Sequence, residues 1–372
     1  MLTRRTLLAA GAAAPVAALA APAFAKPPRW FSSALVIDGL SGLGDPYAPE
    51  DQTRLSDRLI AELRQTGVST LRTTLVPVGN QPDIWDAVNK FMDDHDALFA
   101  ANPDVLVKIK TAADIEAAKK AGKLGIIYGT QDTAMVGTDL DRLAKMKERG
   151  VRCVQLTYNL RNLSGDGSLE PANASLSRLA KTTIERIEAE KLLFDLSHGG
   201  ARTIREGLAL AKRPPSISHT GCRDLFDHPR NAFDADMKTV ADKGGIVGIY
   251  FMPFLVPNGK ATAADVITHI EHAWKVCGED HVGIGTDNGP IPTPITDETW
   301  KRAREEYEYR SKMGFAAPGE GPDVLPLVLE LNRLDRFQHL ATLLAARGHG
   351  QAKLEKLFGT NWLRVYRDVW GA

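Results

Sequence analysis

The 372-residue chain has few cysteines, no excess of either charge and, after its N-terminus, no long apolar run. Cys153, Cys222 and Cys277 are too few for a disulfide framework and show no CxxC spacing, so any metal ligands are nitrogen and oxygen. Its 46 basic and 46 acidic residues balance, and no basic cluster indicates a nucleic-acid or anionic-membrane surface. After the N-terminal segment, no apolar run reaches the roughly 18 residues that span a bilayer. No GxGxxG turn follows an early strand, which disfavours an open nucleotide-binding sheet.

The first 25 residues have the features of an export signal. Arg4 and Arg5 precede an Ala-rich apolar run, and Ala23-Phe24-Ala25 supplies the small-x-small pattern of a cleavage site. The paired arginines predict the twin-arginine (Tat) route. We therefore expect residues 1–25 to be a signal peptide, residues 26–372 to be the mature protein, and that protein to be periplasmic or secreted.

Eight short β-rich runs alternate with amphipathic helical stretches along the mature chain. The runs are almost continuously apolar, as expected of parallel strands covered on both faces, and several helical stretches stop at a glycine. Eight strands alternating with helices predict an α/β protein, a single-domain (β/α)8 TIM barrel with insertions. The predicted strands are residues 34–40, 70–76, 124–130, 151–159, 192–198, 215–220, 245–251 and 281–287.

The ends of these strands carry the side chains suited to chemistry, because the carboxyl ends of barrel strands meet at one mouth. His198 ends the fifth predicted strand, His219 lies near the end of the sixth, and Asp287 ends the eighth. Two imidazoles and a carboxylate suit a hard-to-borderline metal. A single histidine is more often a hydrogen-bonded structural residue, so this interpretation depends on all three sharing the mouth.

Three features of the mouth have alternative interpretations. Asp287 is either a general acid/base beside a metal-bound water or a structural carboxylate that caps the next loop. Arg230, in the loop after the sixth strand, has donors that suit a substrate carboxylate, whereas a loop arginine is more often a solvated charge. The stretch ETWKRAREEYEYR is a lid, an interface near the mouth or a solvated helix.

The chain resembles the renal (membrane) dipeptidase family in the segments DLSH, SHTGCRDLFDHPRN, DKGGIVGIYF, HVGIGTD and FGTNWLRVY. The similarity runs from about residue 36 to residue 366. It implies a (β/α)8 barrel that holds two zinc ions with a bridging hydroxide and hydrolyses dipeptides. By position, His198 and His219 would be metal ligands. Asp287 would be the acid/base, and Arg230 would bind the substrate's C-terminal carboxylate.

The chain departs from the family pattern at three strand ends. Where family members end strand one with Gly-His-x-Asp, this chain has Leu40-Ser41-Gly42. The bridging glutamate after strand three is replaced by Tyr128 or Gln131, with Asp132 the nearest acid. The substrate-facing histidine after strand four corresponds to Tyr158.

These departures argue against a binuclear zinc centre. Two histidines with Gln131, Asp132 or water would hold one zinc ion or none, since catalytic zinc commonly has three protein ligands and a water. Tyr158 and Asn288 are predicted to contact the substrate beside Arg230.

Two functions agree with this pattern. The first is an exported dipeptidase-like hydrolase that acts on a small dipeptide or peptide-like amide with a carboxylate, using at most one metal ion. The second is a catalytically silent or repurposed barrel that binds or tailors a small peptide metabolite. An oxidoreductase is disfavoured by the missing phosphate loop. Neither function predicts a nucleic-acid partner or a membrane span, and the sequence leaves a homodimer open.

Overall fold

The structure, a computed structural model, describes residues 28–47, 53–314 and 316–371. The predicted signal peptide, residues 1–25, lies outside these ranges and stays a prediction. Among the described residues, no helix is both long and apolar enough to cross a membrane.

Parallel strands form the centre of the molecule. The described residues contain nine of them: β1 (Ile37–Ser41), β2 (Thr70–Thr74), β3 (Leu106–Lys108), β4 (Leu124–Thr130), β5 (Val151–Gln155), β6 (Leu193–Asp195), β7 (Ser216–Thr220), β8 (Ile246–Ile249) and β9 (Val282–Ile284). Eight follow one another in the order β1, β2, β4, β5, β6, β7, β8, β9. This order confirms the predicted (β/α)8 barrel.

The remaining strand, β3, lies off the barrel path. It pairs with the first half of β4, whose second half pairs with β5. The sequence analysis does not predict β3, because this three-residue strand includes a lysine and gives no apolar run.

Helices surround the strands, and most of them connect one strand to the next. Within the described residues these are α1 (Asp57–Thr66), α2 (Ile84–Ala101), α3 (Ala112–Lys120), α4 (Asp141–Glu148), α5 (Arg178–Ala189), α6 (Ala201–Leu210), α7 (Asp234–Asp242), α8 (Ala263–Cys277), α9 (Asp297–Lys312), α10 (Arg336–Ala346), α11 (Gln351–Glu355) and α12 (Asn361–Trp370). The predicted stops are present in α1 and α8, where Gly67 and Gly278 follow the last helical residue with φ of 71° and 80°.

The apolar core has two layers. The larger layer lies between the strands and the surrounding helices. A smaller cluster includes Ile37, Leu193 and Ile246, the first residues of their strands, and therefore fills the barrel at the amino ends of the strands. Trp362 and Tyr366 of α12 complete this cluster and close that end. The opposite mouth, at the carboxyl ends, is left for the functional side chains.

The seam between β9 and β1 is held by hydrogen bonds from the segment that follows β9. Asp38 accepts from the N–H of Thr286 at 2.8 Å and from its hydroxyl at 2.6 Å. The N–H of Asp287 donates to the carbonyl of Leu40 at 2.9 Å. The seam therefore places Asp287 beside the end of β1.

Gly39 in β1 leaves room for the indole ring of Trp362. A methyl group at Gly39 would overlap this ring, whereas one at Gly42 would meet no heavy atom within 4 Å. Because Trp362 is fully buried, Gly39→Ala is expected to lower the free energy of unfolding by about 1–3 kcal/mol. Gly42→Ala is the matched control and should change it little. Urea unfolding measures both, and equal midpoints would contradict this packing.

Candidate active site

A cavity of about 280 Å³ opens at the carboxyl ends of the strands. The predicted residues Tyr158, His198, Arg230 and Asp287 line it. The stretch ETWKRAREEYEYR forms α9, and residues 303, 306, 307 and 310 of this helix line the cavity on another side. The helix therefore forms one side of the cavity, while most of its residues are exposed.

His198, His219 and Asp287 converge at this cavity. One ligand atom from each lies within 4.8 Å of the other two. The ring centroids of the two histidines are also 4.8 Å apart. His198 and Asp287 have φ of 60° and 59°, a left-handed conformation that is uncommon for residues with a side chain. Such backbone conformations cluster at functional sites, where the surrounding structure holds them in place.

The imidazole of His198 has one nitrogen held and one left open. Its Nδ1 lies 2.6 Å from Oδ1 of Asn159. An amide oxygen only accepts, so Nδ1 carries the hydrogen and Nε2 keeps its lone pair. Nε2 is buried without a hydrogen-bond partner. Burial and the charge of Arg230 hold the pKa of His198 well below its ordinary value, and a neutral imidazole is the form that binds a metal.

His219 is oriented through Ser218. The hydroxyl of Ser218 lies 2.5 Å from Oδ2 of Asp195 and 2.8 Å from Nδ1 of His219. Its hydrogen goes to the carboxylate, so its oxygen accepts from the Nδ1–H of His219. Nε2 of His219 is then an acceptor, and the amide nitrogen of Gln131, 3.3 Å away, donates to it. Burial keeps the pKa of His219 well below its ordinary value.

Asp195 is held in turn by Arg72 from across the barrel. Nη1 of Arg72 lies 2.6 Å from Oδ2 of Asp195, and its Nη2 donates to the carbonyl of Thr130 at 2.8 Å. Both charged side chains are buried, with exposures of 1% and 0%. Although burial raises the pKa of Asp195, the charge of Arg72 holds it below its ordinary value. Gly129 makes this possible, because a Cβ there would overlap the guanidinium.

The structure distinguishes the two residues that align with the family's bridging glutamate. Gln131 faces His219 inside the mouth. Tyr128 is buried in the outer layer of the core, and its hydroxyl donates to Asp96 at 2.9 Å. Gln131 is therefore the residue that lies at the site, and its side chain is neutral.

Asp132 and Asn288, the other two predicted site residues, are engaged with backbone groups. Asp132 accepts from the N–H groups of Gly79 and Ala134, and it does not join the group formed by the three converging ligand atoms. The amide of Asn288 donates to the carbonyl of Pro326 at 3.0 Å. Both side chains thus hold loops around the mouth in this structure.

Arg230 and Tyr158 face the same cavity as His198. Arg230 is 4% exposed, yet its Nη2 has no hydrogen-bond partner. The ring of Tyr158 stacks on that of His198 with centroids 4.3 Å apart. A buried cationic donor without a partner is costly unless an anionic group binds to it, so Arg230 suits a ligand carboxylate.

Burial raises the pKa of Asp287 to about 6, although the charges of Arg230 and Arg310 lower it. A carboxyl group with a pKa near neutrality exchanges its proton readily, which suits a general acid/base.

Two residues at the site, Arg310 and Glu320, are missing from the sequence analysis. Arg310 donates from Nε and Nη2 to the carboxylate of Glu320, both at 2.9 Å, and both side chains line the cavity together with Tyr158. No sequence signal singles out Arg310, because its helix carries charged residues on all sides.

A sequence profile of the membrane dipeptidase family, Peptidase family M19, matches residues 49–299. The chain belongs to this family. It is 25% identical over 308 residues to the dipeptidase ataJ of Aspergillus terreus, covering 76% of this chain and 65% of that protein. It is 32% identical over 264 residues to an uncharacterized dipeptidase of Schizosaccharomyces pombe, and the match covers 68% of this chain and 55% of that protein. The chain thus spans between about half and two thirds of these curated relatives.

Two solved structures share the fold over nearly the whole chain. An amidohydrolase from Pseudomonas aeruginosa is 29% identical with a TM-score of 0.78, covering 92% of this chain and 98% of that one. A metallopeptidase from Rhodobacter sphaeroides, liganded with a phosphinate mimic of L-Ala-D-Ala, is 17% identical with a TM-score of 0.72, covering 91% and 99%. The predicted family and barrel are both confirmed.

The ion pair behind His219 yields a stability prediction. Arg72→Met would leave the Asp195 carboxylate buried without a countercharge, so the free energy of unfolding should fall by about 3–5 kcal/mol at pH 8. In the native protein the pKa of Asp195 is lowered. The ionised Asp195 therefore adds to the free energy of unfolding above about pH 4, and this stabilisation is lost as the pH falls below that. In the variant the carboxyl group of Asp195 takes up a proton as the pH falls. The difference in the free energy of unfolding between the wild type and the variant should therefore become smaller towards pH 4.

Denaturant unfolding at several pH values measures this difference. Arg202→Met is the matched control, since Arg202 forms an exposed pair with Glu206 and should contribute little. Equal losses in the two variants, or a deficit that does not change with pH, would contradict the role of the buried pair.

Proposed function

We propose that the protein is an exported dipeptidase-like hydrolase that cleaves a small dipeptide or peptide-like amide carrying a carboxylate, with at most one metal ion. The observation that supports this proposal is a pair of buried polar atoms without hydrogen-bond partners at one cavity. Nε2 of His198, grouped with His219 and Asp287, and Nη2 of Arg230 are both buried without partners. A metal ion would satisfy the first group and a substrate carboxylate the second.

The donor set fits one metal ion better than two. His198 and His219 are ligands that zinc accepts, water would complete an open site, and Asp287 lies close enough to act on that water. At the end of β1, where the family has further ligands, Leu40 is an apolar side chain. A zinc ion bound at these residues supplies a Lewis acid for the scissile carbonyl.

The chain's own residues would bind the substrate and move the proton. Arg230 would orient the substrate by paired hydrogen bonds to its carboxylate. Asp287, with a pKa of about 6, would take a proton from the attacking water as the new C–O bond forms. It would return that proton to the leaving nitrogen as the C–N bond breaks.

Metal content is the first test of this proposal. The mature protein, purified without chelators, is expected to hold about one zinc ion per chain by elemental analysis. His198→Ala should lose the ion, because it removes the open Nε2. The control His272→Ala removes a histidine that pairs with Asp234 away from the cavity and should keep the ion. No bound metal, even after dialysis against excess zinc, would contradict a one-metal hydrolase.

Asp287→Asn tests the proton transfer. The variant should lose turnover of a dipeptide by a factor of about 10² or more, because an amide cannot exchange the proton, while binding of the dipeptide stays largely intact. The control Asp323→Asn makes the same change at an exposed position after α9 and should keep the wild-type rate. Kinetics and calorimetry with the same dipeptide separate the two effects. Retained turnover would remove Asp287 from the chemistry.

A second candidate function is a catalytically silent or repurposed barrel that binds or tailors a small peptide metabolite. The replacement of the strand-one ligands by Leu40 and Ser41 favours it. Ser41 donates its hydroxyl to the carbonyl of Asn288 at 2.7 Å, so its hydrogen is already used. A wild-type protein that binds the dipeptide without turning it over would support this candidate over the hydrolase.

A further inference from the structure

His228 lies in the loop that carries Arg230, and the proposed function gives it no role. Its side chain is 1% exposed. The ring stacks on that of Phe254, with centroids 4.8 Å apart and planes only 8° from parallel. Arg230 and Phe254 both line the cavity, whereas His228 does not. A buried histidine needs partners for its polar atoms, so its hydrogen bonds show which parts of the chain it holds.

Both ring nitrogens of His228 are hydrogen bonded to the backbone. Nδ1 accepts from the N–H of Arg230 at 3.1 Å, and Nε2 lies 2.7 Å from the carbonyl oxygen of Pro318. A backbone N–H only donates and a carbonyl only accepts, so Nε2 carries the hydrogen and Nδ1 has the lone pair. Burial, together with the charge of Arg230, lowers the pKa of His228 to about 4. The ring therefore stays neutral at physiological pH, as this pair of contacts requires.

The main chain of Arg230 is held on both sides. Its N–H donates to His228, and its carbonyl accepts from the hydroxyl of Thr220, the last residue of β7, at 3.0 Å. Nη2 of Arg230 is buried without a partner, so the position of the main chain decides where this donor lies. Pro318 follows Ala317 of the cavity wall. His228 thus joins the loop of Arg230 to the segment that follows α9.

We propose that His228 is a positioning residue that fixes the main chain of Arg230 through Nδ1, so that the guanidinium meets the carboxylate of the substrate. The inference rests on the proposed function, which gives Arg230 that ligand, and deepens it. An arginine that is fixed before the ligand binds loses less conformational entropy on binding than a mobile one. The effect of His228 should therefore be confined to ligands that carry the carboxylate.

A pair of matched ligands tests this role: a phosphinate mimic of Ala-Ala, and the same mimic with its carboxyl group converted to a carboxamide. Calorimetry on the full chain, purified without chelators, is expected to show about tenfold weaker binding of the carboxylate mimic in His228→Phe. The carboxamide should change by less than about threefold. In an Arg230→Met background, His228→Phe should add little, because it acts through Arg230.

The control is His349→Phe, which removes a partly buried histidine that contacts Glu271 outside the cavity. This variant should bind both mimics as the wild type does. With a dipeptide substrate, His228→Phe should raise KM more than it lowers kcat, since the carboxylate contact is made in the bound substrate as well as in the transition state.

Two conservative variants identify the nitrogen that matters and separate positioning from folding. The amide oxygen of an asparagine takes the place of Nδ1 and can accept from the N–H two residues further along the chain. His228→Asn should therefore bind the carboxylate mimic within about threefold of the wild type. His228→Gln extends its amide towards the place of Nε2 and should remain as weak as His228→Phe. Thermal unfolding identifies any variant that fails to fold.

The outcomes distinguish this inference from the proposed function. A carboxylate-specific loss in His228→Phe that His228→Asn restores, in a protein that hydrolyses no dipeptide, would refute the hydrolase and support the positioning role. Dipeptide hydrolysis with equal losses for the two mimics, or with His228→Gln as tight as His228→Asn, would overturn the inference alone. A wild-type chain that binds neither mimic, or both equally well, would also overturn it, as would a His349→Phe variant as weak as His228→Phe.

Discussion

The buried ion pair between Arg72 and Asp195 is the interaction on which the site depends. It joins β2 to the opposite strand β6 through the interior of the barrel, where either charge alone would be strongly destabilising. The same carboxylate fixes the hydroxyl of Ser218, and that hydroxyl fixes the tautomer of His219. This ion pair thus stabilises the fold and also orients His219, a candidate metal ligand. A mutation at Asp195 would therefore change both the stability and the orientation of His219.

The two histidines at the mouth are each held at Nδ1, and two buried groups beside them have no partner. Asn159 contacts Nδ1 of His198 and Ser218 contacts Nδ1 of His219, while Nε2 of His198 and Nη2 of Arg230 are without hydrogen bonds. Side chains that are already fixed by hydrogen bonds lose little conformational entropy when a ligand binds. Buried polar atoms without a partner gain a hydrogen bond or a bond to a metal ion from it. This combination favours tight recognition of a small, charged ligand.

Membership of the membrane dipeptidase family does not by itself carry over the binuclear chemistry that the family resemblance implies. The barrel is present, and His198 after β6, His219 of β7 and Asp287 after β9 meet at its mouth. The end of β1 has instead an apolar Leu40 and a Ser41 whose hydrogen goes to a backbone carbonyl. Gln131 replaces the bridging charge by a neutral amide. The described residues therefore bring two histidines and one carboxylate together at the mouth of the barrel.

The sequence by itself determined the barrel and the meeting of the three predicted ligands, because apolar periodicity defines strands and parallel strand ends share one mouth whatever their separation along the chain. It did not reveal β3, whose three residues give no periodic signal. Tertiary structure alone decided that Gln131 and not Tyr128 faces the site, and that Asp132 binds backbone N–H groups, because side-chain direction past a strand end depends on the path of the loop. It also decided that Arg310 turns towards the cavity and pairs with Glu320, since a helix charged on every face gives no sign of which charge turns inward until its partners are in place.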